Sequence, residues 1–117
     1  MRMIRAVIRP DREEQVVNAL ESAGVVSLTK MDVFGRGQQR GVQVGNTIYS
    51  ELPKIMLTIV VEEAKLDAAI AAIQAGAKTG QHGDGKIFIS PVDAVYTVRT
   101  GQKTASTGLM KIFPSPC

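Results

Sequence analysis

The sequence has few aromatic residues and no tryptophan: Phe and Tyr make up 4% of its 117 residues. Its core must therefore be built from Val, Ile, Leu, Ala and Met. This is feasible because 44% of the residues are hydrophobic, an ordinary fraction for a globular protein. The length predicts a single domain.

Cysteine and histidine each occur once, as Cys117 and His82. A lone cysteine cannot form an internal disulfide, so the sequence favours a reducing compartment and we expect a cytoplasmic protein. No catalytic constellation is recognisable, and we predict that the protein is not an enzyme. Asp84, between two glycines, is a candidate base. The more ordinary role for a carboxylate in such a turn is to cap the turn's own N–H groups.

Long hydrophobic runs are also missing. No apolar run approaches the length of a membrane span, and the first five residues lack the apolar core of a signal peptide. The formal net charge is +3, which favours anionic partners. Because the basic residues are scattered and not interleaved with aromatics, nucleic acid is not predicted as a partner. A small phosphorylated ligand or an acidic protein surface suits this charge better.

In the first half of the chain, residues of the two faces of a strand alternate at first, and apolar residues then recur at helical spacing. Met3 to Arg9 predicts a strand with Ile4, Ala6 and Ile8 on its dry face. Asp11 and Glu14 predict a capping box at the start of a helix that ends near Gly24. The apolar face of this helix would be formed by Val16, Val17, Leu20 and Ala23. Residues 25–34 are rich in β-forming residues.

The second half repeats that order. Residues 55–61 predict a central strand buried on both faces. Leu66, Ala69, Ile70 and Ile73 mark an amphipathic helix whose end Gly76 weakens. Residues 87–98 predict a long strand that Pro91 interrupts, at a bulge or an edge.

The predicted order is β-α-β, a long loop, then β-α-β. This order indicates the α+β, ferredoxin-like βαββαβ sandwich: one four-stranded sheet with both helices on one face. The other face would expose Val, Ile and Met and needs covering. We therefore expect a homo-oligomer or a close hetero-oligomer.

Residues 35–51 form the predicted long loop. The loop is polar, contains four glycines and shows no sustained period. Loops of this length in a compact domain are usually functional or disordered. Two interpretations stay open: a mobile loop that orders on binding a ligand or partner, and a long β-hairpin arm used for subunit packing.

A second glycine-rich stretch, residues 79–89, begins Thr-Gly-Gln-His-Gly-Asp-Gly-Lys and runs into an apolar segment. Three glycines allow a sharp turn that exposes N–H groups, and Lys86 adds a positive charge, as suits a phosphate. The spacing is not that of a Walker A loop. The alternative is an ordinary hairpin turn or connecting loop, since Asp-Gly is a strong turn signal.

Residues 79–89 match at every fixed position the signature T-G-x-x-G-D-G-K-I-F-[VI] of the PII signal-transduction proteins, which the chain resembles. Residues 98–101, Val-Arg-Thr-Gly, are similar to the family's ending, and residues 3–10 to its opening strand and proline. Residues 35–41 and Leu52-Pro53-Lys54 resemble the base and the exit of its T-loop. The resemblance covers residues 1–101 and implies one ferredoxin-like domain with a mobile T-loop at 35–53 and a phosphate-binding loop at 79–86. Residues 102–117 are expected to form a flexible tail.

The resemblance also implies a trimer that binds ATP or ADP in the clefts between subunits, with 2-oxoglutarate and Mg²⁺ beside ATP. Phosphates would be held by Gly83, Asp84, Gly85, Lys86 and Arg99, and Thr29 would lie near the adenine. Gln39 would be the Mg²⁺ ligand, because its amide oxygen is a suitable hard donor. Lys54 would pair with a carboxylate of 2-oxoglutarate. The loop base that completes the ligand site comprises Gly35, Gly37, Gln38, Gln39, Arg40 and Gly41.

Some positions depart from the family pattern. Thr97 and Gln38 stand where many members have arginine, which bears on nucleotide affinity. Tyr49 lies closer to Pro53 than the tyrosine that some members uridylylate, so packing at the loop stem is an equally good role for it. The loop sequence is most similar to the branch encoded in nitrogenase operons, which implies two related subunits that bind dinitrogenase and inhibit it. An ammonium transporter or glutamine synthetase is the alternative partner.

Overall fold

The computed structural model describes residues 1–36 and 51–104, together with the backbone alone of residues 42–44, 47–49 and 105. In chain order, the elements within these ranges are β1 (Arg2–Ile8), a 3-10 turn (Pro10–Arg12), α1 (Glu13–Ser22), β2 (Thr29–Gly35), β3 (Val42–Val44), β4 (Thr47–Tyr49), β5 (Leu52–Val61), α2 (Glu63–Ala77), β6 (Gly85–Pro91), β7 (Ala94–Tyr96) and β8 (Lys103–Ala105).

Four strands form one antiparallel sheet in the order β2-β5-β1-β6. The predicted dry face of β1 is confirmed, since its three inward residues are at most 1% exposed. Both helices pack on this face, where they bury Val16 and Leu20 of α1 and Ala69 and Ile73 of α2. The ferredoxin-like α+β prediction is therefore correct.

The other face of the sheet carries no helix in the part of the chain that the structure describes. Strand β5 alternates between buried and half-buried residues rather than being buried on both faces, so that prediction is wrong for the isolated chain. Met31 and Phe88 on this open face are 54% and 55% exposed. Such a surface suits packing against another chain.

The predicted capping box at the start of α1 is wrong. Asp11 lies in the 3-10 turn, and the N-cap position is Arg12, which makes no side-chain capping hydrogen bond. Pro10, whose φ angle its ring fixes, begins the 3-10 turn. Asp11 therefore lies inside this turn and not at the N-cap of α1. At the other end the prediction holds, because Gly24 adopts a left-handed φ of 87° just after the helix.

Gly76 lies one residue before the end of α2 at Ala77. It is buried against α1: a Cβ built on Gly76 would lie 2.8 Å from Cα of Val16. Two long cations also link the helices. Arg12 Nε donates to the carbonyl of Gly76 at 2.8 Å, and Lys65 Nζ donates to the carbonyl of Ala23 at 3.1 Å. The last carbonyls of a helix lack backbone partners. One such carbonyl at the C-terminal end of each helix thus accepts a hydrogen bond from a cation at the N-terminal end of the other.

Strand β6 ends at Pro91, opposite Arg2 at the sheet edge. Pro91 therefore marks an edge, as one of the two alternatives had it, but the strand does not continue to Val98. The chain turns instead into the separate hairpin β7–β8. Strands β3 and β4 also pair as an antiparallel hairpin, with Val42 opposite Tyr49, as the hairpin-arm interpretation of the long loop requires. The side chain of Tyr49 and residues 106–117 lie outside the described residues.

Neither α-helix in the described ranges has the length and apolar character needed to cross a membrane.

Candidate anion-binding site

The candidate site lies at one edge of the sheet, where the pairing of β1 with β5 and with β6 ends. Ile8 is the last paired residue of β1, opposite Ile55 of β5 and Gly85 of β6. One residue further along, the same registers place Arg9 between Lys54 and Asp84. All three side chains belong to the open face, because side chains alternate along a strand. The sheet register thus brings two cations and a carboxylate together.

Residues 78–84 connect α2 to β6, so they do not form a hairpin turn between two paired strands. Gly83 and Gly85 have φ angles of 93° and 117°, which side chains rarely tolerate. A Cβ on Gly85 would lie 1.8 Å from the carbonyl oxygen of Val7. Glycine at position 85 is therefore required for the loop to enter the sheet beside β1.

Asp84 organises the turn from inside. Its Oδ2 accepts hydrogen bonds from the backbone N–H groups of Thr79 at 2.8 Å and Gly80 at 2.9 Å, and its Oδ1 accepts one from the Thr79 hydroxyl. These bonds to Thr79, and to a lesser degree those from Arg9 and Gly80, hold the pKa of the Asp84 carboxyl well below its usual range. The capping role expected for Asp84 is confirmed.

The two cations contact the loop through its carbonyl oxygens. Lys54 Nζ donates to the carbonyl of Gly83 at 2.5 Å, and Arg9 Nη2 donates to that of His82 at 2.6 Å. Partial burial, followed by the charge of Arg9, lowers the pKa of the Lys54 ammonium. A Cβ on Gly83 would lie 3.3 Å from Arg9 Nη2 and 3.6 Å from Lys54 Nζ. The space beside Gly83 is thus lined by two cations and has the character of an anion cradle.

The structure brings together five of the residues singled out from the sequence: Gly35, Lys54, Gly83, Asp84 and Gly85. Gly35 ends β2, and a Cβ on it would lie 3.4 Å from Cγ of Lys54. Lys86 follows in β6, opposite Val7 on the open face. Residues 37–41, which include Gln38, Gln39 and Arg40, lie outside the described residues.

Two predicted residues lie away from this cluster. Thr29, at the start of β2, is exposed and opposite Thr58 on the open face. Arg99 lies in the turn between β7 and β8, and no hydrogen bond among the described residues joins it to residues 79–86. A single chain therefore does not gather every predicted ligand residue.

Arg9 and Thr79 are the site residues that the sequence alone did not identify. Both belong to stretches that were recognised, but neither was assigned to the site. Arg9 could have been suspected from the predicted sheet, because it ends the first predicted strand, Lys54 directly precedes the strand predicted at 55–61, and Asp84 lies in the loop before the strand predicted at 87–98. The role of Thr79 depends on the turn geometry, which spacing does not specify.

No group of three or more His, Cys, Asp or Glu side chains in the described ranges could hold a metal ion. The predicted Mg²⁺ ligand, Gln39, lies among residues 37–41, of which the structure gives no description.

The Asp84 cap should make the protein sensitive to acid. Because the pKa of Asp84 is lower in the folded state, its stabilising contribution is complete above the unfolded pKa of about 3.9 and is lost as the pH falls below that value. We expect the free energy of unfolding to fall less steeply between pH 5 and 2.5 (roughly the range over which the unfolded carboxyl titrates) in Asp84→Asn than in the wild type. Urea titrations at fixed protein concentration measure this.

Asp67→Asn is the matched control, since Asp67 is an exposed carboxylate on α2 without a hydrogen bond among the described residues. An Asp84→Asn variant with the same acid slope as the wild type would show that the cap contributes nothing to the pH dependence.

Fold and site together define a class: a ferredoxin-like α+β protein with an anion cradle, lined by cations and glycines, where its strands end. The family model described as "Nitrogen regulatory protein P-II" matches residues 1–102. The chain belongs to this family.

Curated relatives agree with the family model. A "Nitrogen fixation nifHD region GlnB-like protein 1" of Methanobacterium ivanovii is 56% identical over 103 residues, covering 88% of this chain and 98% of the relative. A protein of the same description from Methanococcus maripaludis is 56% identical over 100 residues, covering 86% and 95%. The "Nitrogen regulatory protein P-II" of a Synechocystis strain is 43% identical over 108 residues, covering 88% and 96%. The chain is therefore similar to nitrogen regulatory proteins along nearly their whole length.

Proposed function

We propose that this protein signals nitrogen status by binding ATP or ADP together with 2-oxoglutarate. The conformation of residues 35–53 would report the bound ligands to a partner protein. The observation that carries the proposal is the cradle beside Gly83, where Lys54 and Arg9 face the space that a side chain would fill. Such a cradle fits a phosphate or a carboxylate. Asp84 is engaged as a structural cap, which fits regulation rather than catalysis.

The proposed ligand contacts follow the geometry of the loop. Asp84 and Thr79 already occupy the N–H groups of Thr79, Gly80 and Gln81, so phosphate would be held by the segment Gly83 to Lys86. Lys54 would release the Gly83 carbonyl to pair with a carboxylate of 2-oxoglutarate. The Gln39 amide oxygen would hold Mg²⁺, whose positive charge would offset the negative charges of phosphate and keto acid. The backbone of residues 37–41 would complete the keto-acid site.

The proposed assembly is a trimer with ligand clefts between its subunits, either of identical chains or of this chain with a related subunit. The exposed Met31 and Phe88 on the open face support burial against another chain. Thr29 lies on β2, which β5 and β1 separate from β6, and this supports a cleft that draws on two chains. Closing such a cleft would couple nucleotide and 2-oxoglutarate binding.

The proposed partner is the dinitrogenase component of nitrogenase, which the protein would inhibit until ATP and 2-oxoglutarate bind together. Support comes from the relatives of Methanobacterium and Methanococcus, whose descriptions place them in a nitrogen fixation nifHD region. The Synechocystis relative, described only as a P-II regulatory protein, supports the alternative that the partner is an ammonium transporter or glutamine synthetase.

Titration calorimetry tests the ligand roles. In the presence of ATP and Mg²⁺, we expect Lys54→Ala and Gln39→Ala each to weaken 2-oxoglutarate binding about tenfold or more, as expected when a charged or metal-ligating contact is lost. Lys30→Ala and Gln74→Ala are matched controls, because Lys30 pairs with Glu13 at 2.7 Å and Gln74 is exposed on α2. Wild-type affinity in both site variants would remove these assignments.

Affinity purification from nitrogen-fixing cells tests the partner. We expect tagged protein to recover dinitrogenase without effectors and to lose it when ATP and 2-oxoglutarate are added. Recovery of a transporter or glutamine synthetase alone would replace the nitrogenase proposal with its alternative.

A further inference from the structure

We infer that the target protein docks on a strip of the helix-side surface through an apolar pocket set in a basic surface of its own. The inference rests on the proposed function only in taking a target protein as given. The strip, called the outer strip below, begins at Glu13 of α1 and crosses Lys30 and Asp32 of β2. It ends at Phe34 and Pro53, where β2 ends and β5 begins.

The sheet register places the outer strip on the face that carries the helices. Phe34 lies opposite Pro53, and Asp32 lies opposite Ile55. Ile55 is buried in the core beneath the helices, and residues opposite each other in an antiparallel pair share a face. Phe34 is nevertheless 73% exposed and Pro53 is also exposed, so the helices do not cover this end of the face. The outer strip is thus separate from the open face that would contact other subunits.

Phe34 is the apolar anchor of the outer strip. It is the most exposed aromatic residue in the part of the chain that the structure describes, and it does not belong to the core cluster. Its ring therefore contributes little to folding. Aromatic residues are enriched at the centres of protein interfaces, where they fill pockets of the partner. In a chain with 4% aromatic residues, a ring in this position suits a docking contact.

The charge of the outer strip differs in sign from that of the chain, whose net charge is +3. Glu13 and Lys30 pair at 2.7 Å, whereas Asp32 makes no ion pair among the described residues. Asp11 and Glu14, which also lack an ion pair there, line a surface cavity of about 550 Å³ together with Glu13. Carboxylates are common at the start of a helix, but Asp32 lies in a strand. A basic surface on the target would complement this charge.

The outer strip adjoins the segment that would report the bound ligands. Residues 35–53 leave the sheet directly after Phe34 and return at Pro53, opposite it. A target that binds both this segment and the outer strip would therefore meet the ligand-dependent part of the protein beside a fixed anchor. The segment would then control access to Phe34 as well as its own contacts.

Binding to purified dinitrogenase without effectors, measured by biolayer interferometry, tests this inference. We expect Phe34→Ala to weaken binding about thirtyfold, as for an interface hot spot. Asp32→Lys should weaken it about tenfold and make it less dependent on salt, because a favourable charge contact becomes a repulsive one. Val26→Ala and Asp67→Lys are matched controls: Val26 is 67% exposed before the other end of β2, and Asp67 is exposed on α2. Light scattering checks that every variant keeps the oligomeric state of the wild type.

Each outcome decides a different point. Wild-type affinity in Phe34→Ala would overturn the inference and leave the proposed function standing, and so would an equal loss in Val26→Ala. An unchanged salt dependence in Asp32→Lys would overturn the basic surface. If Phe34→Ala changed the oligomeric state, the outer strip would be a contact between subunits, which also overturns the inference. If the wild type bound an ammonium transporter or glutamine synthetase instead of dinitrogenase, the proposed partner would fail, and the same variants would decide the inference on that protein. A chain that bound none of the three would overturn both.

Discussion

Replacing Gly85 by alanine should lower the free energy of unfolding by about 3 kcal/mol or more, since overpacking and backbone strain add at this position. The new Cβ would lie 1.8 Å from the carbonyl oxygen of Val7 and 2.9 Å from its carbonyl carbon. These are backbone atoms of the inner strand, so no rotamer change can relieve the contact. The residue would also have to keep a φ of 117°. Urea denaturation at fixed protein concentration measures the loss.

Gly80→Ala is the matched control for this prediction. Gly80 has a similar left-handed φ of 88°, but a Cβ there would meet no atom within 4 Å among the described residues. Only the backbone strain remains, which predicts a loss of about 1 kcal/mol. If the two variants were equally stable, the close approach of β6 to Val7 would not matter in solution.

The Gly85 contact connects the fold to the site. Because β6 can lie this close to β1, the ladder continues to Ile8 and Gly85, and the next residues of β1 and β6, Arg9 and Asp84, meet Lys54 of β5. The site is therefore a consequence of sheet register. A Gly85→Ala variant that still folds should also bind ATP weakly.

Sequence reasoning predicted the fold because apolar spacing reports burial directly. The alternation of Ile4, Ala6 and Ile8 identified the inner strand, and the helix–strand order left few arrangements. Sequence reasoning failed where contacts between backbone segments determine the local structure. Spacing cannot show that α1 begins after Asp11, or that Gly76 packs against α1. Nor can it show that one face of β5 is only half-buried in the single chain.

The candidate site was predictable only in part. The glycine-rich loop and Lys54 are recognisable by composition and position. Arg9 is not, because an arginine at a strand end is ordinary until the register places a carboxylate beside it. What sequence could not predict at all is that carbonyl oxygens of the loop accept hydrogen bonds from these two cations. Lys54 and Arg9 donate to the carbonyls of Gly83 and His82, so an anion that pairs with Lys54 must exchange with a carbonyl oxygen.

Gly76→Ala should destabilise the protein by about 1–3 kcal/mol, the usual cost of overpacking, although glycine to alanine within a helix normally gains about 1 kcal/mol. The added Cβ would lie 2.8 Å from Cα and 2.9 Å from N of Val16, and 3.0 Å from C of Gln15. The two helices would have to separate, and Val16, which is 0% exposed, would lose its packing.

The neighbouring Ala75→Gly isolates the propensity effect, because Ala75 is exposed on the same turn of α2. It should cost about 1 kcal/mol, so adding a methyl at 76 and removing one at 75 should both destabilise. A Gly76→Ala variant more stable than the wild type would show that the helices can move apart freely. Since α2 leads through Lys78 into Thr79 and the loop, separation of the helices should also displace the Asp84 cap. We therefore expect Gly76→Ala to accelerate amide exchange at Thr79, and Ala75→Gly to leave it unchanged.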